Sequence, residues 1–327
     1  MCRSLLLARG IRAVIGAPGR PGPLLVLNAL TFRLLKELGF DYARLQTHGH
    51  RLSSHFVAWG SSIGTVNRHA LAVSHAELVG ALGSGFEVRA DVGSDWTLFA
   101  SGRNAASSHA DQIIHCGRRC AVTAEVRSAP GAREDLTVME TVPGGWLFFI
   151  PTGKRTGIIQ AVSVFDTDES ELLVRELIGR STYVKQAVAD ITGTVACHPA
   201  MPAFCLPSGS HGWLAVGEAA LAQDPLSGDG VGTSIRSAVL AAAVLAAVAA
   251  GEDDQRYLEY YSCRLARAAR VHLEILLDYY SLSGDPAWSE EISAMRVGVD
   301  VLRRIPPPQG FRLDAERLPE HPRCMLL

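Results

Sequence analysis

The residues whose order most suggests chemistry lie between Trp213 and Ala250, WLAVGEAALAQDPLSGDGVGTSIRSAVLAAAVLAAVAA. A short apolar strand, Trp213 to Val216, delivers Gly217 and Glu218 at its carboxyl end. Glycine there lets the backbone come close to a ligand, and the neighbouring acid can accept hydrogen bonds from a polyol. Asp224, Pro225, Gly228, Gly230, Val231 and Gly232 then make an acidic, small-residue turn that opens onto a long helix. A helix start of this kind aims unpaired N–H groups and the positive end of a dipole at whatever lies before it. That suits an electron-rich ring that takes up negative charge on reduction.

A second group, His48, His50, Arg51 and His55, sits in the polar stretch QTHGHRLSSHFVAWGSS, where histidines can serve as acid or base near neutral pH. The bland alternative for each is a surface or packing residue. Cys116 and Cys120, with His109 and His115 nearby, have neither the spacing nor the second ligand pair of a zinc site, so no metal is expected. The seven cysteines are odd in number and scattered, which fits no disulfide framework. A reducing, cytoplasmic setting is therefore expected.

The elements that must position these residues read as follows. Residues 3 to 15 suggest the end of a helix, a turn at Arg9-Gly10 and a strand Ile11 to Ile15, followed by the Gly/Pro stretch GAPGRPGP. Leu25 to Gly39 and Leu71 to Leu82 carry apolar residues at helical spacing. FEVRADV, WTLFASG, CAVTAEVR, LTVMETV, WLFFIPT and TGIIQAVSV read as strands, with alternation that predicts a partly antiparallel sheet. Helical patterns return over 167 to 190 and again from Gln255 to about Ser283, and the tail from Pro306 is rich in Pro and Arg.

The 213–250 stretch resembles the second flavin signature of the para-hydroxybenzoate hydroxylase-like flavoproteins, which include FAD-dependent monooxygenases and tryptophan halogenases. There a Gly-Asp pair precedes an Asp-Pro-x-x-Gly-x-Gly turn. Here the pair is Gly217-Glu218 and the turn runs from Asp224 to Gly230. Two further segments fall in the family's order. Ala100-Ser101-Gly102-Arg103 is similar to its Asp-Ala-Ser/Thr-Gly-Arg element, with Phe99 in place of the acid, and Trp146 to Pro151 is similar to the halogenases' Trp-x-Trp-x-Ile-Pro element, with Phe148 in place of the second tryptophan.

The resemblance implies FAD as cofactor, with Glu218 on the ribityl chain, Pro225 and the amides of Gly230 to Gly232 at the isoalloxazine, and Gly102 and Arg103 nearby. It implies Trp146, Phe148 and Pro151 at the substrate, and NAD(P)H or a partner reductase as electron donor. The fold implied is α/β: a three-layer Rossmann-like FAD domain (1–110 and 211–255), an inserted antiparallel-sheet substrate domain (111–210), and C-terminal helices with a tail (256–327). The family's G-x-G-x-x-G pyrophosphate turn is absent from the sequence, and Gly16 stands where its ribose-binding acid is expected. The opening, LLLARGIRAVIG, reads as the second half of the family's first helix and its second strand, as if the nucleotide-binding start were missing.

A net charge of −2, from 31 basic and 33 acidic residues, gives no reason to expect a nucleic-acid partner. The apolar run Ala238 to Ala250 falls short of the roughly 18 residues that would cross a bilayer. The lysine that halogenases place near the substrate, after the first long helix, has no counterpart between His48 and Phe56, and Lys36, Lys154 and Lys185 are the only lysines. The expectation is therefore a monooxygenase hydroxylating an electron-rich aromatic group, on a small molecule or on a tryptophan of a partner protein. A decayed or non-catalytic flavoprotein fold is the alternative from another class, and a halogenase or an isoprenoid reductase remains open beside it.

Overall fold

The computed structural model describes residues 24–40, 42–82, 95–100, 102–164 and 169–307. The expected strand Ile11 to Ile15, the GAPGRPGP stretch, Gly16, FEVRADV, Ser101 and the tail beyond 307 lie outside those residues.

Eight strands form the main sheet in the order β1-β3-β2-β7-β8-β9-β6-β10. They are β1 (Leu25–Asn28), β2 (His50–Trp59), β3 (Ser62–Val73), β6 (Cys120–Ser128), β7 (Leu136–Val142), β8 (Gly145–Gly153), β9 (Thr156–Ser163) and β10 (Val188–Pro199). All neighbours pair antiparallel except β2 and β7, which run parallel. The sheet thus draws on residues 25–73 as well as on 120–199.

Alternation along β8 shows why this sheet is a middle layer. Leu147 and Phe149 face one cluster with Val174 and Leu177 of α4 (Ser170–Arg180) and Val184 of α5 (Val184–Ala187). Trp146 joins the opposite cluster with Ala269, Leu273 and Leu276 of α7 (Asp254–Leu282) and Met295 and Val299 of α8 (Ser289–Arg303). A strand covered on both faces needs apolar side chains in both parities, and WLFFI supplies them. Glu140 of β7 is buried, and its carboxylate accepts the amides of Thr182, Tyr183 and Val184, satisfying the start of α5.

Smaller sheets flank this layer. β4 (Thr97–Phe99) runs parallel to β13 (Trp213–Ala215), which also pairs with β12 (Gly209–Ser210). β11 (Ala203–Leu206) lies between β5 (Gln112–His115) and β14 (Leu221–Ala222). Against them packs α6 (Gly230–Ala249), whose Ala238, Ala241 and Ala242 bring its backbone close.

Several sequence expectations shift. Leu25 to Asn28 is a strand, because its apolar side chains pair into the edge beside β3, and the helix, α1 (Ala29–Glu37), begins only after Asn28, whose side chain caps it. The second helix, α3, spans His75–Ala81 behind a Ser74–Glu77 capping box, while Leu71 to Val73 complete β3. The helical pattern over 167 to 190 divides into α4 and α5, with Asp190 already in β10. The polar stretch around His48 forms the end of α2 (Tyr42–His48) and then β2. Finally, the apolar run from Ala238 is part of a longer helix: α6 has 20 residues, and an 18-residue window of it with mean hydropathy 1.8 is enough by length and composition alone to cross a membrane, but 61% of that window is buried inside the fold.

Candidate active site

The Asp224–Gly230 turn is built from the protein interior outward. Asp224 caps its own turn by accepting the Leu226 amide, and Gly228 adopts φ +57 to close it. Behind it, the Asp224 carboxylate accepts the Arg119 Nε–H at 2.6 Å and the Tyr280 hydroxyl at 3.0 Å. Arg119 also binds the Glu291 carboxylate and the Cys116 carbonyl, while Trp146 Nε1 donates to the Tyr280 hydroxyl at 3.1 Å. Arg119 and Asp224 are both wholly buried. Burial alone would lower the Arg119 pKa, but Asp224, Tyr280 and Glu291 around it raise it, so the guanidinium stays charged. The same desolvation, joined by the charge on Asp224, drives the Tyr280 hydroxyl well above its ordinary value.

Two more contacts fix the turn. The Asp224 amide donates to His272 Nε2 at 3.1 Å, and burial holds that ring at about 4, neutral at physiological pH. An amide donating to Nε2 leaves the ring proton on Nδ1. On the other side Asn28, the cap of α1, donates to the Gly228 carbonyl and to Asp229, which is also paired with Arg236. A Cβ built on Gly228 or Gly230 would meet no atom within 4 Å, whereas one on Gly232 would strike Asp229 and Thr31. The outer lip of the turn is therefore an open cradle, and its third glycine serves close packing.

This lip forms part of the wall of a cavity of about 950 Å³. Pro225, Gly228 and Asp229 face it from the turn; Leu52, Ser54, His55 and Val57 from β2; Met139 and Phe148 from β7 and β8; and Arg264, His272 and Leu276 from α7. His55 Nδ1 lies 2.6 Å from Thr137 Oγ1, its ring meets Phe148 edge-on at 5.6 Å, and burial, reinforced by nearby Arg68, lowers it to about 4.

The expected site residues divide by position. Gly217 and Glu218 follow β13, with the Gly217 amide held by Ser237 of α6 and Glu218 paired with Arg103 at 3.0 Å. Gly102 has φ +91, and a Cβ there would meet nothing within 4 Å. Arg103, Glu218 and the 224–232 turn are thus brought to one region, joined further by the Arg103 contacts to the Met201 and Gln223 carbonyls. Of the expected substrate residues, Phe148 lines the cavity; Trp146 is fully buried behind it, and Pro151 is buried away from the lining. His48, exposed at the end of α2, His50, bonded to the Glu134 carbonyl, and Arg51, exposed on β2, also lie outside the lining; their neighbour His55 is the histidine of that stretch that faces it.

Sequence reading missed Asn28, Arg119, His272, Tyr280 and Glu291. They lie in unrelated segments with no shared spacing. The one available signal was a buried-type pattern interrupted by charge, such as Glu291 and His272 at core positions of their helices.

No family model matches the sequence, and no curated protein matches it. Solved structures do. The fold is similar to that of QhpG, a peptidyl tryptophan dihydroxylase essential for tryptophylquinone cofactor biogenesis, with TM-score 0.67 and 18% identity over 89% of this chain and 75% of that one. It is similar to CmlS, a flavin-dependent halogenase, with TM-score 0.71 and 17% identity over 89% and 65%. It is also similar to the myxobacterial chondrochloren halogenase CndH, a variant of FAD-dependent halogenases, with TM-score 0.71 and 17% identity over 89% and 82%. The mixed α/β fold of this chain is that of the FAD-dependent halogenases and hydroxylases.

Proposed function

We propose that the chain is a flavin-dependent oxidoreductase that hydroxylates an electron-rich aromatic group, carried by a small molecule or by a tryptophan of a partner protein. One observation carries this reading. The glycine turn that resembles a flavin signature presents an open cradle on the wall of the same cavity that the large sheet lines with Phe148, Met139 and Trp59. Gly102, Arg103, Gly217, Glu218, Pro225, Gly228, Gly230 and Val231 would hold the flavin, with Gly232 packed against Thr31 and Asp229 and Asp224 bracing the turn from behind. When bound, the flavin supplies electron transfer to dioxygen, and NAD(P)H or a partner reductase would supply the electrons.

The chain's own residues do the rest. Leu52, Val57, Phe148 and Leu276 exclude water and hold an aromatic ring by its faces. The His272 Nδ1–H is a donor set against the turn, suited to a carbonyl or hydroxyl oxygen of a substrate. His55, uncharged at neutral pH and bonded to Thr137, can accept a hydrogen bond from an aromatic O–H or N–H. Hydroxylation fits better than halogenation, since Lys36, Lys154 and Lys185 are the only lysines of the sequence and none is among the described residues that line the cavity.

A second reading is a non-catalytic fold that holds FAD weakly or not at all. It draws support from a turn already satisfied internally, with Asp229 held by Asn28 and Arg236, and Glu218 by Arg103. Titration of the purified protein with FAD separates the two. Saturable uptake with flavin absorbance supports the enzyme; a colourless protein that takes up no FAD sinks it.

A further inference from the structure

The charge around the cavity departs from that of the whole chain. The sequence carries a net −2, yet the described residues of the cavity lining include Arg68, Arg236, Arg264 and Arg267 against Asp229 as the one acid among them. His55 and His272 add no charge at neutral pH. Asp229 is consumed by Arg236. Among the described residues no carboxylate forms an ion pair with Arg68, Arg264 or Arg267, although most other arginines of the surface do find one: Arg118, Arg127, Arg133, Arg175, Arg180 and Arg303 are all paired.

Their placement is directional. Arg264 and Arg267 stand on the face of α7 that continues through Val271, His272 and Ile275, at spacings of three and four residues, so they share the cavity side of that helix. Arg68 comes from β3, on a different element. Arg68 and Arg267 are exposed and Arg264 is partly buried. Exposed apolar residues stand beside them, Val66 at 56%, Val271 at 44%, Ile275 at 50% and Tyr279 at 49%. The mouth thus combines an apolar lip with three uncommitted guanidiniums, while the depth is aromatic and aliphatic.

We infer that the cavity selects an anionic aromatic ligand, one whose carboxylate, sulfonate or phosphate is held at the mouth by Arg68, Arg264 and Arg267 while its ring enters toward Phe148 and the 225–228 turn. Guanidinium is suited to this work because its planar fork meets an oxyanion with two donors at once. Exposed cations at a cavity mouth also raise the local concentration of an anion and steer its entry, an effect that salt screens. As a statement of substrate class this rests on the oxidoreductase reading; as a statement of binding it does not.

The test uses two probes of nearly the same aromatic skeleton on the full chain, 8-anilino-1-naphthalenesulfonate and the uncharged N-phenyl-1-naphthylamine, followed by fluorescence. The expected result is tighter binding of the sulfonate, weakened by salt, while the uncharged probe is insensitive to it. Arg68→Glu, Arg264→Glu and Arg267→Glu should each weaken sulfonate binding by about twofold to fivefold, and together by tenfold or more on the order expected for several exposed charge contacts, with the uncharged probe unaffected. Arg264→Gln and Arg267→Gln provide milder variants should the reversals disturb folding. Equal binding of the two probes, or a triple reversal that leaves the sulfonate unmoved, overturns the proposal. FAD uptake, measured separately by absorbance, reports on the oxidoreductase reading, so loss of one leaves the other standing.

Discussion

Two acid–arginine pairs brace the candidate flavin region, and they differ in everything but chemistry. Arg119 and Asp224 are both 0% exposed and enclosed by Glu291, Tyr280 and Trp146. Arg103 and Glu218 are 13% and 50% exposed. In the first pair, desolvation leaves no alternative partner, so the ions must keep each other and the geometry is fixed. In the second, water competes with the pair, so exchanging one partner for a ligand costs little. The buried pair holds the turn in shape; the half-exposed pair is the one that would open for a polyol in the proposed flavin site.

Breaking the buried pair should have the largest effect. Arg119→Met would leave Asp224 and Glu291 as uncompensated buried carboxylates and should cost about 3–5 kcal/mol of stability in chemical denaturation. A loss below about 1 kcal/mol would show that the network does not brace the fold. Next comes His272, against the same aspartate's amide. Its ring is held near 4 against an ordinary 6.5, so between those values the unfolded chain binds the proton and the folded chain does not. Stability present above pH 6.5 is therefore lost as pH falls toward 4, by up to ~3 kcal/mol. His272→Gln should make that part of the pH profile shallower, with His55 supplying what slope remains, and an unchanged slope would remove His272 as a source.

Smaller effects sharpen the ligand side of the comparison. Gly230→Val fills open space, so stability should stay within about 0.5 kcal/mol while FAD affinity falls by about tenfold or more. Unchanged FAD content in that variant would count against the turn as a flavin cradle. Glu218→Ala should alter stability by less than about 1 kcal/mol, as befits an exposed pair, yet weaken FAD retention. If stability drops by as much as in Arg119→Met, the contrast between the two pairs fails.

The strands of the sheet were legible because β6 to β9 carry alternating or continuous apolar patterns at strand length, and the 213–232 turn was legible because its glycines and proline are local backbone requirements. Leu25 to Asn28 fits either period on its own, since three apolar residues and an asparagine are too few to show one, and pairing with β3 decides the matter. Around His48 the trouble was similar: a polar stretch has no face until a neighbour defines one, and only β3 and β7 on either side of β2 aim His55 at the cavity.

By itself the sequence determined what depends on neighbours along the chain: the strand-turn-helix around Gly217 and Gly230, the small residues that let α6 pack closely, and the lack of a lysine near the expected site. The tertiary structure alone decided what depends on residues far apart, namely that Arg119, Asp224, Tyr280 and Glu291 form one buried charge network, and that Arg68 and Arg264 line one cavity. The reason is physical. Backbone preference acts over a few residues, whereas desolvation and charge act through space, and no spacing in the chain records which distant groups will share a dry interior.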